Sequence, residues 1–279
     1  MARSLNFPPA APPLLNLGCG YNPHSAFVNV DLIEAPGVIS HDLRQGIPFP
    51  DASFDLVYHS LVLSHLYPDE ATRLTRECYR VLKPGGILRV VTEDLEQMCR
   101  MYLQKLEAAT DGDAQSGHEY DWMLLELYDQ ATREHSGGEM LEFLGRDPVP
   151  NETFICSRMG AQGKRLLASA RRRPLEKAST QTRTALRSRL HRWVLTKLLG
   201  ASGVQALEIG RFRMSSGQVS RRMYDRYSVG RLLLGSGFSS VQSRTAGNSG
   251  YPHWAAVNLD LSPDGAPAKP HAIIMEGVR

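Results

Sequence analysis

In the first third of the chain, short apolar runs alternate with glycine- and proline-rich breaks, a pattern that predicts a parallel α/β sheet. Leu14-Leu15-Asn16-Leu17 ends abruptly in Gly18-Cys19-Gly20, as a buried strand does when its chain turns sharply at the carboxyl end. Phe27-Val28-Asn29-Val30 reads as a second strand closed by Asp31, Val38-Ile39-Ser40 as a third, and Phe54 to Tyr58 as a fourth with His59 and Ser60 at its carboxyl end. Asp69 to Leu82 reads as an amphipathic helix, with Ala71, Leu74, Cys78 and Val81 on one face and Asp69 and Glu70 in its first turn. Lys83-Pro84-Gly85-Gly86 stops this helix and turns into a fifth strand, Ile87 to Thr92. Leu95, Met98, Tyr102 and Leu106 mark another helix, which Thr110-Asp111-Gly112-Asp113 breaks.

The glycine turn carries the first chemical implication. Without a Cβ, Gly18 and Gly20 can take positive φ and let a ligand approach the backbone. Asp31, at the carboxyl end of the neighbouring strand, can accept hydrogen bonds from both hydroxyls of a ribose, so the pair suits an adenosine ligand. The dinucleotide fingerprint requires a third glycine facing a pyrophosphate, and that position holds Pro23, which argues against a nicotinamide oxidoreductase.

Four stretches in order, Leu15 to Gly20, Val30-Asp31, Pro48 to Tyr58 and Arg80 to Leu88, resemble the class I S-adenosylmethionine (SAM)-dependent methyltransferases, in particular their type 11 branch. The resemblance covers roughly residues 14 to 92 and implies a Rossmann-like fold. It is a mostly parallel seven-stranded sheet with helices on both faces and, here, an inserted helical lid. It implies SAM as cofactor and S-adenosylhomocysteine as product. The binding positions carried over are Asn16, Gly18, Cys19, Gly20, Asp31, Leu32, Asp42, Leu43, His59 and Ser60, with Asp42 accepting from the adenine amine. The chain departs from the family in two places. Between Gly20 and Phe27 it is too short for the usual crossover helix, and Leu61 and Ser64 replace the His and Glu expected after the fourth strand.

The family pattern is silent from about residue 111 to 217, which reads as an insertion between a core of residues 1–110 and a returning core of residues 218–279. Tyr120 to Glu134 spaces Tyr120, Met123, Leu124, Leu127 and Ala131 as a helix, ended by His135-Ser136-Gly137-Gly138-Glu139. A glycine pair after a helix is a common cap. The His, Ser and Glu beside it nevertheless make an acceptor site conceivable, with His135 as the candidate general base and Glu139 and Asp129 as second choices. Val229 to Gly235 predicts a helix, Ser239 to Arg244 a strand, and His271 to Val278 the last strand, antiparallel in the family.

Charge changes the picture only inside the insertion. Eleven Lys or Arg against the single acid Glu176 give +10 between Lys164 and Lys197, leaving −7 for the rest of a chain whose net charge is +3. Leu186, Leu190, Trp193, Val194 and Leu198 space like one helix face, so this stretch is expected to suit an anionic membrane surface or another polyanion. Without interleaved aromatic platforms apart from Trp193, nucleic acid is disfavoured. The four cysteines, Cys19, Cys78, Cys99 and Cys156, form no Cys-x-x-Cys pair, which argues against zinc and against a disulfide framework. Prolines 8, 9, 12 and 13 interrupt any leader-like apolar run, and no later run approaches a membrane span, so a soluble cytoplasmic protein is expected, with any membrane contact peripheral. The resemblance implies O-methylation of a small-molecule or sugar acceptor as the activity. The alternatives are a SAM-binding module without chemistry and methylation of a lipid-linked or other anionic acceptor held by the basic stretch.

Overall fold

The structure, a computed structural model, describes residues 14–177 and 185–279, and side chains at 14–172 and 195–279. The expected face of Leu186, Leu190, Trp193 and Val194 lies outside the described side chains, as do most of the cations of the basic stretch. In chain order the elements are β1 (Leu14–Leu17), β2 (Val28–Asp31), β3 (Val38–Ser40), β4 (Phe54–Ser60), α1 (Pro68–Val81), β5 (Leu82–Glu93), α2 (Leu95–Thr110), α3 (Ala114–Thr132) and α4 (Gly138–Leu144). They continue with α5 (Glu152–Met159), α6 (Ala161–Lys177), α7 (Ala185–Ser215), α8 (Arg226–Gly235), β6 (Ser239–Arg244), α9 (Trp254–Val257) and β7 (Ala272–Val278). No helix among the described residues is long and apolar enough to cross a membrane.

The chain divides into two compact units, residues 1–96 with 221–279 and residues 97–220. Relative to the boundaries expected at 110 and 217, the first unit ends just inside α2, because Met98 already packs with the helices that follow.

The first unit is a seven-stranded sheet in the order β3-β2-β1-β4-β5-β7-β6. β1 to β5 run parallel, and β7 is antiparallel to both β5 and β6. Leu15, Leu17, Val30, Val57, Leu88 and Val90 face one side, where Ala71, Leu74, Cys78 and Val81 of α1 and Val229 and Leu233 of α8 bury them. The helix stripe predicted for α1 is the one that packs. Leu14, Leu56, Tyr58, Ile87 and Ile274 face the other side, covered by the segment around the short α9, with Trp254 buried against them. The expected turn at Lys83-Pro84-Gly85-Gly86 is instead part of β5. Phe54 pairs with Leu82 and Leu56 with Ile87, so the extra residues form a bulge with Gly85 at φ +79°.

The second unit is all helical. Met98, Trp122, Met123, Phe143, Leu144, Ile155 and Leu167 form its core. A buried ion pair crosses that core: Arg158 Nε donates to Glu126 Oε2 at 2.9 Å, and Trp122 Nε1 donates to Glu126 Oε1 at 2.7 Å.

Candidate functional site

The turn after β1 is built as its glycines predict. Gly18 and Gly20 have φ of +66° and +56°, and the Gly18 N–H donates to Val30 O at 2.8 Å, tying the turn to β2. A Cβ on Gly18 would lie 2.4 Å from Val62 Cγ2, whereas one on Gly20 would meet nothing within 4 Å. The turn is therefore closed on the Val62 side and open at Gly20. Val62 owes its place to Leu61, which takes φ +58° and donates its N–H to Val91 O at 2.8 Å. A non-glycine residue held at positive φ costs roughly 1–2 kcal/mol, and such strain gathers at functional sites.

Asp31 is aimed by the backbone. Its Oδ2 accepts from Gly20 N at 2.8 Å and its Oδ1 from Ile33 N at 3.1 Å, and each oxygen keeps a lone pair for another donor. Tyr21 and Leu32 stand 86% and 62% exposed beside the turn, large apolar groups without core contacts. An open backbone cradle at Gly20 next to a fixed carboxylate fits the ribose of an adenosine, and Leu32 adds apolar surface at the place a base would occupy. His41 N donates to Asp31 O at 2.8 Å, which pins the end of β3 to this edge. Asp42 follows and caps the single helical turn Leu43–Gln45, with Arg44 Nη2 at 2.7 Å from its Oδ2. The hydrogen bond from Arg44 holds its carboxyl below the usual range. Leu43 packs on the core below.

Other predicted positions do different work. Asn16 is buried and donates from Nδ2 to Asn29 Oδ1 at 3.1 Å, while Asn29 Nδ2 donates to the carbonyls of His24 and Phe27, each at 3.0 Å, and Asn29 Oδ1 accepts from His24 N at 3.0 Å. This network holds the helix-less crossover from β1 to β2, and the Asn16 side chain is bonded into it. The Cys19 thiol is pushed up to about 11, first by burial and then by the charge of Asp31, and at neutral pH it stays protonated. His59 is fully buried, and its backbone pairs in register with Leu17 and Val90 in the sheet. Burial alone lowers its pKa to about 4, so it is a neutral core residue. Ser60 closes β4, half-buried.

The three catalytic candidates all lie in the second unit. Asp129 is almost fully buried and committed: Oδ2 accepts from Arg133 Nε at 3.0 Å and Oδ1 from Glu139 N at 2.6 Å. A Cβ on Gly138 would lie 2.2 Å from Asp129 Oδ1, so the glycine pair is where α4 starts against that carboxylate. Asp129 is thus a structural cap, which removes it as a base. Glu139 is exposed in the first turn of α4. His135 is exposed as well, its Nε2 lying 3.5 Å from Glu142 Oε1.

Sequence reading overlooked Val62, Asn29 and His24. A signal for the asparagines was present, since Asn16 and Asn29 interrupt two apolar strands at positions that pair in register. Val62 offered none, being one apolar residue among several.

A parallel sheet with a glycine turn and an aimed acid at its carboxyl edge defines a Rossmann-like nucleoside-binding unit. Residues 15–90 match the model of a methyltransferase domain family. A protein of Mycolicibacterium smegmatis named probable S-adenosylmethionine-dependent methyltransferase is 46% identical over 55 residues, 18% of this chain and 21% of that protein. The match thus spans about a fifth of the relative's length. A S-adenosylmethionine-dependent methyltransferase from Mesorhizobium loti is 28% identical over 29% of this chain and 46% of its own, at a TM-score of 0.25. A SAM-dependent methyltransferase from Archaeoglobus fulgidus covers 95% of this chain and 85% of its own, at 10% identity and a TM-score of 0.38. Neither superposition reaches a TM-score of one half, and the likeness rests on the sequence match over residues 15–90. Residues 15–90 of the chain are thus similar to the methyltransferase domain family and, over 55 residues, to a probable SAM-dependent methyltransferase.

Proposed function

We propose that the protein moves the methyl group of SAM to an oxygen of a small-molecule or sugar acceptor and releases S-adenosylhomocysteine. The observation that carries the binding half is the Asp31 carboxylate fixed 2.8 Å from Gly20 N beside a turn that is open at Gly20. Gly18 and Gly20 would bring their backbone against the cofactor, Asp31 would take the ribose hydroxyls, and Leu32 with Asp42 would flank the base. Bound SAM supplies a methyl group already activated on a sulfonium, so the protein's share is alignment of the acceptor and removal of its proton.

For the proton the reading takes His135. Its side chain is exposed, with Nε2 3.5 Å from Glu142 Oε1. Glu139 is the second choice. With Asp129 committed to its cap, the exposed imidazole is the first candidate for the base.

Asp31→Ala should weaken SAM and S-adenosylhomocysteine by about ten- to a hundredfold, the loss expected when a charged acceptor is removed. Calorimetric titration measures this, and an unchanged affinity would discard the ribose assignment. Transfer of label from methyl-labelled SAM to fractions of small molecules and glycans tests the chemistry. Label transfer that survives His135→Ala at full rate would take the base role from that residue, and no transfer to any fraction would leave a SAM-binding module.

A further inference from the structure

A pocket of about 220 Å³ lies in the first unit between α1 and α8, and Thr72, Arg222, Tyr224, Ser228, Arg231 and Ser236 are among the residues lining it. Backbone bonds fix one end of it to the carboxyl edge of the sheet. The amides of Arg221 and Arg222 donate to Ser64 O beyond the end of β4, and Leu95 N donates to Tyr224 O at 2.8 Å just past β5.

The charged lining side chains are both cationic, with the Asp225 charge near enough to act on Arg222. No acidic side chain lines the pocket. Neither Arg222 nor Arg231 has a carboxylate within ion-pair distance among the described residues. Arg222 instead sits over the Tyr224 ring at 5.6 Å and Arg231 over the Tyr227 ring at 5.5 Å. The one acid between Arg221 and Ser228, Asp225, spends its carboxylate capping α8, accepting from Ser228 N at 2.7 Å. Ser236 adds a second, independent sign. It is only 9% exposed, and its hydroxyl has no hydrogen-bond partner. A buried hydroxyl without a partner is costly, and native proteins leave few of them. Thr72 and Ser228 spend their hydroxyl protons on Pro68 O at 2.9 Å and Asp225 O at 3.1 Å, so Ser236 and Tyr224 are the lining hydroxyls left with a proton to give.

We propose that this pocket binds the phosphate group of a small molecule, with Arg222 and Arg231 as its charge partners and the Ser236 hydroxyl as a donor. Two guanidiniums match a doubly charged phosphate better than a singly charged carboxylate, and guanidinium geometry suits phosphate oxygens. The site concerns binding alone and does not depend on the methyl-transfer reading. Its place at the carboxyl edge of β4 and β5 would let it hold the charged end of an acceptor.

The test is calorimetric titration of the full chain with inorganic phosphate, a sugar phosphate, the same sugar unphosphorylated, and acetate, each against chloride at matched ionic strength. The two phosphate probes should bind saturably, and the bare sugar should not. Tighter binding of the ester would identify a phosphorylated metabolite as the ligand, and equal binding would identify free phosphate. Arg222→Gln and Arg231→Gln should each weaken the phosphate probe about tenfold or more, and Ser236→Ala by a few-fold, while SAM affinity, measured on the same samples as a check of folding, is unchanged. Acetate binding as tightly as phosphate, no saturable phosphate binding in the wild type, or both Gln variants retaining wild-type affinity would overturn the proposal. Because the two arginine variants are read singly, one that fails to fold leaves the other to decide.

Discussion

Arg89 Nε and Asp260 Oδ2 meet at 2.7 Å with both side chains essentially sealed from solvent. The same guanidinium donates to Glu276 Oε1 at 2.6 Å and to the carbonyls of Asn248 and Thr245, and it stacks 4.2 Å from the Trp254 ring. Tyr58 Oη donates to the other oxygen of Asp260 at 2.7 Å. One side chain of the central strand β5 thus fastens the whole segment between β6 and β7 onto a sheet face that carries no long helix. Burying this cluster stabilises little by itself, because desolvation offsets the attraction. Breaking it is another matter.

Arg89→Leu should therefore destabilise the protein by about 3–5 kcal/mol, since the carboxylates of Asp260 and Glu276 would stay buried without their shared cation. Guanidinium denaturation of the purified variant measures this. A loss under about 1 kcal/mol would mean that water or Arg244, already 2.9 Å from Glu276, takes over the charge.

The two glycines of the β1 turn should respond differently to the same change. Both lie at positive φ, so alanine at either costs roughly 1–2 kcal/mol of backbone strain. Only at Gly18 does the new methyl run into a neighbour, Val62 Cγ2 at 2.4 Å. Gly18→Ala should be the more destabilising in thermal melts, and adding Val62→Ala should recover the steric part and leave the strain. Equal melting shifts for the two single variants would show that Val62 moves aside freely.

How much of this was legible in the chain differs from element to element. β3 and β6 occupy the predicted residues, and α1 buries the predicted stripe, because period and punctuation are local properties. Pro84-Gly85-Gly86 was read as a turn because the same residues serve a bulge equally well, and only the pairing of Phe54 with Leu82 distinguishes the two. Arg89 sits in the middle of an apolar strand, and its partners lie 171 and 187 residues away, beyond any local pattern. The positive φ of Gly18 and Gly20 was legible because only glycine takes it freely, and Asp31 because it closes an apolar strand. The bond from the Asn16 side chain to Asn29 on the second strand was not legible, because it depends on the register of two strands thirteen residues apart.

His59 should make the fold acid-sensitive. Its pKa falls from 6.5 to about 4 on burial, so the unfolded chain binds a proton that the folded chain refuses. The neutral ring contributes its full share above pH 6.5, and stability is lost as pH falls from there toward 4. The loss is on the order of 3 kcal/mol over that window, from about 1.4 kcal/mol per pH unit for one proton. Denaturation midpoints measured at steps between pH 7 and pH 4, for wild type and for His59→Gln, isolate this term. A variant whose stability falls as steeply as the wild type over that interval would assign the acid sensitivity to other groups.

Asn29 should matter more than its position in a short strand implies. It accepts from His24 N at 3.0 Å, donates to His24 O and Phe27 O, and receives the Asn16 amide at 3.1 Å. Those bonds replace the crossover helix as the means of carrying the chain from the glycine turn back to β2. Asn29→Ala removes the hub and leaves the buried Asn16 amide without its acceptor, a loss of about 1–3 kcal/mol per unsatisfied buried group. Because the freed segment begins directly after Gly20, whose N–H is 2.8 Å from Asp31, the variant should also bind SAM more weakly. Asn16→Ala gives the comparison, since it removes one bond and leaves the His24 and Phe27 ties in place. It should lose less stability and keep SAM affinity within a few-fold of wild type. Calorimetric SAM titration with denaturation of both variants measures the two effects together. If Asn29→Ala loses stability yet binds SAM as the wild type does, the network holds the fold without positioning the cofactor turn.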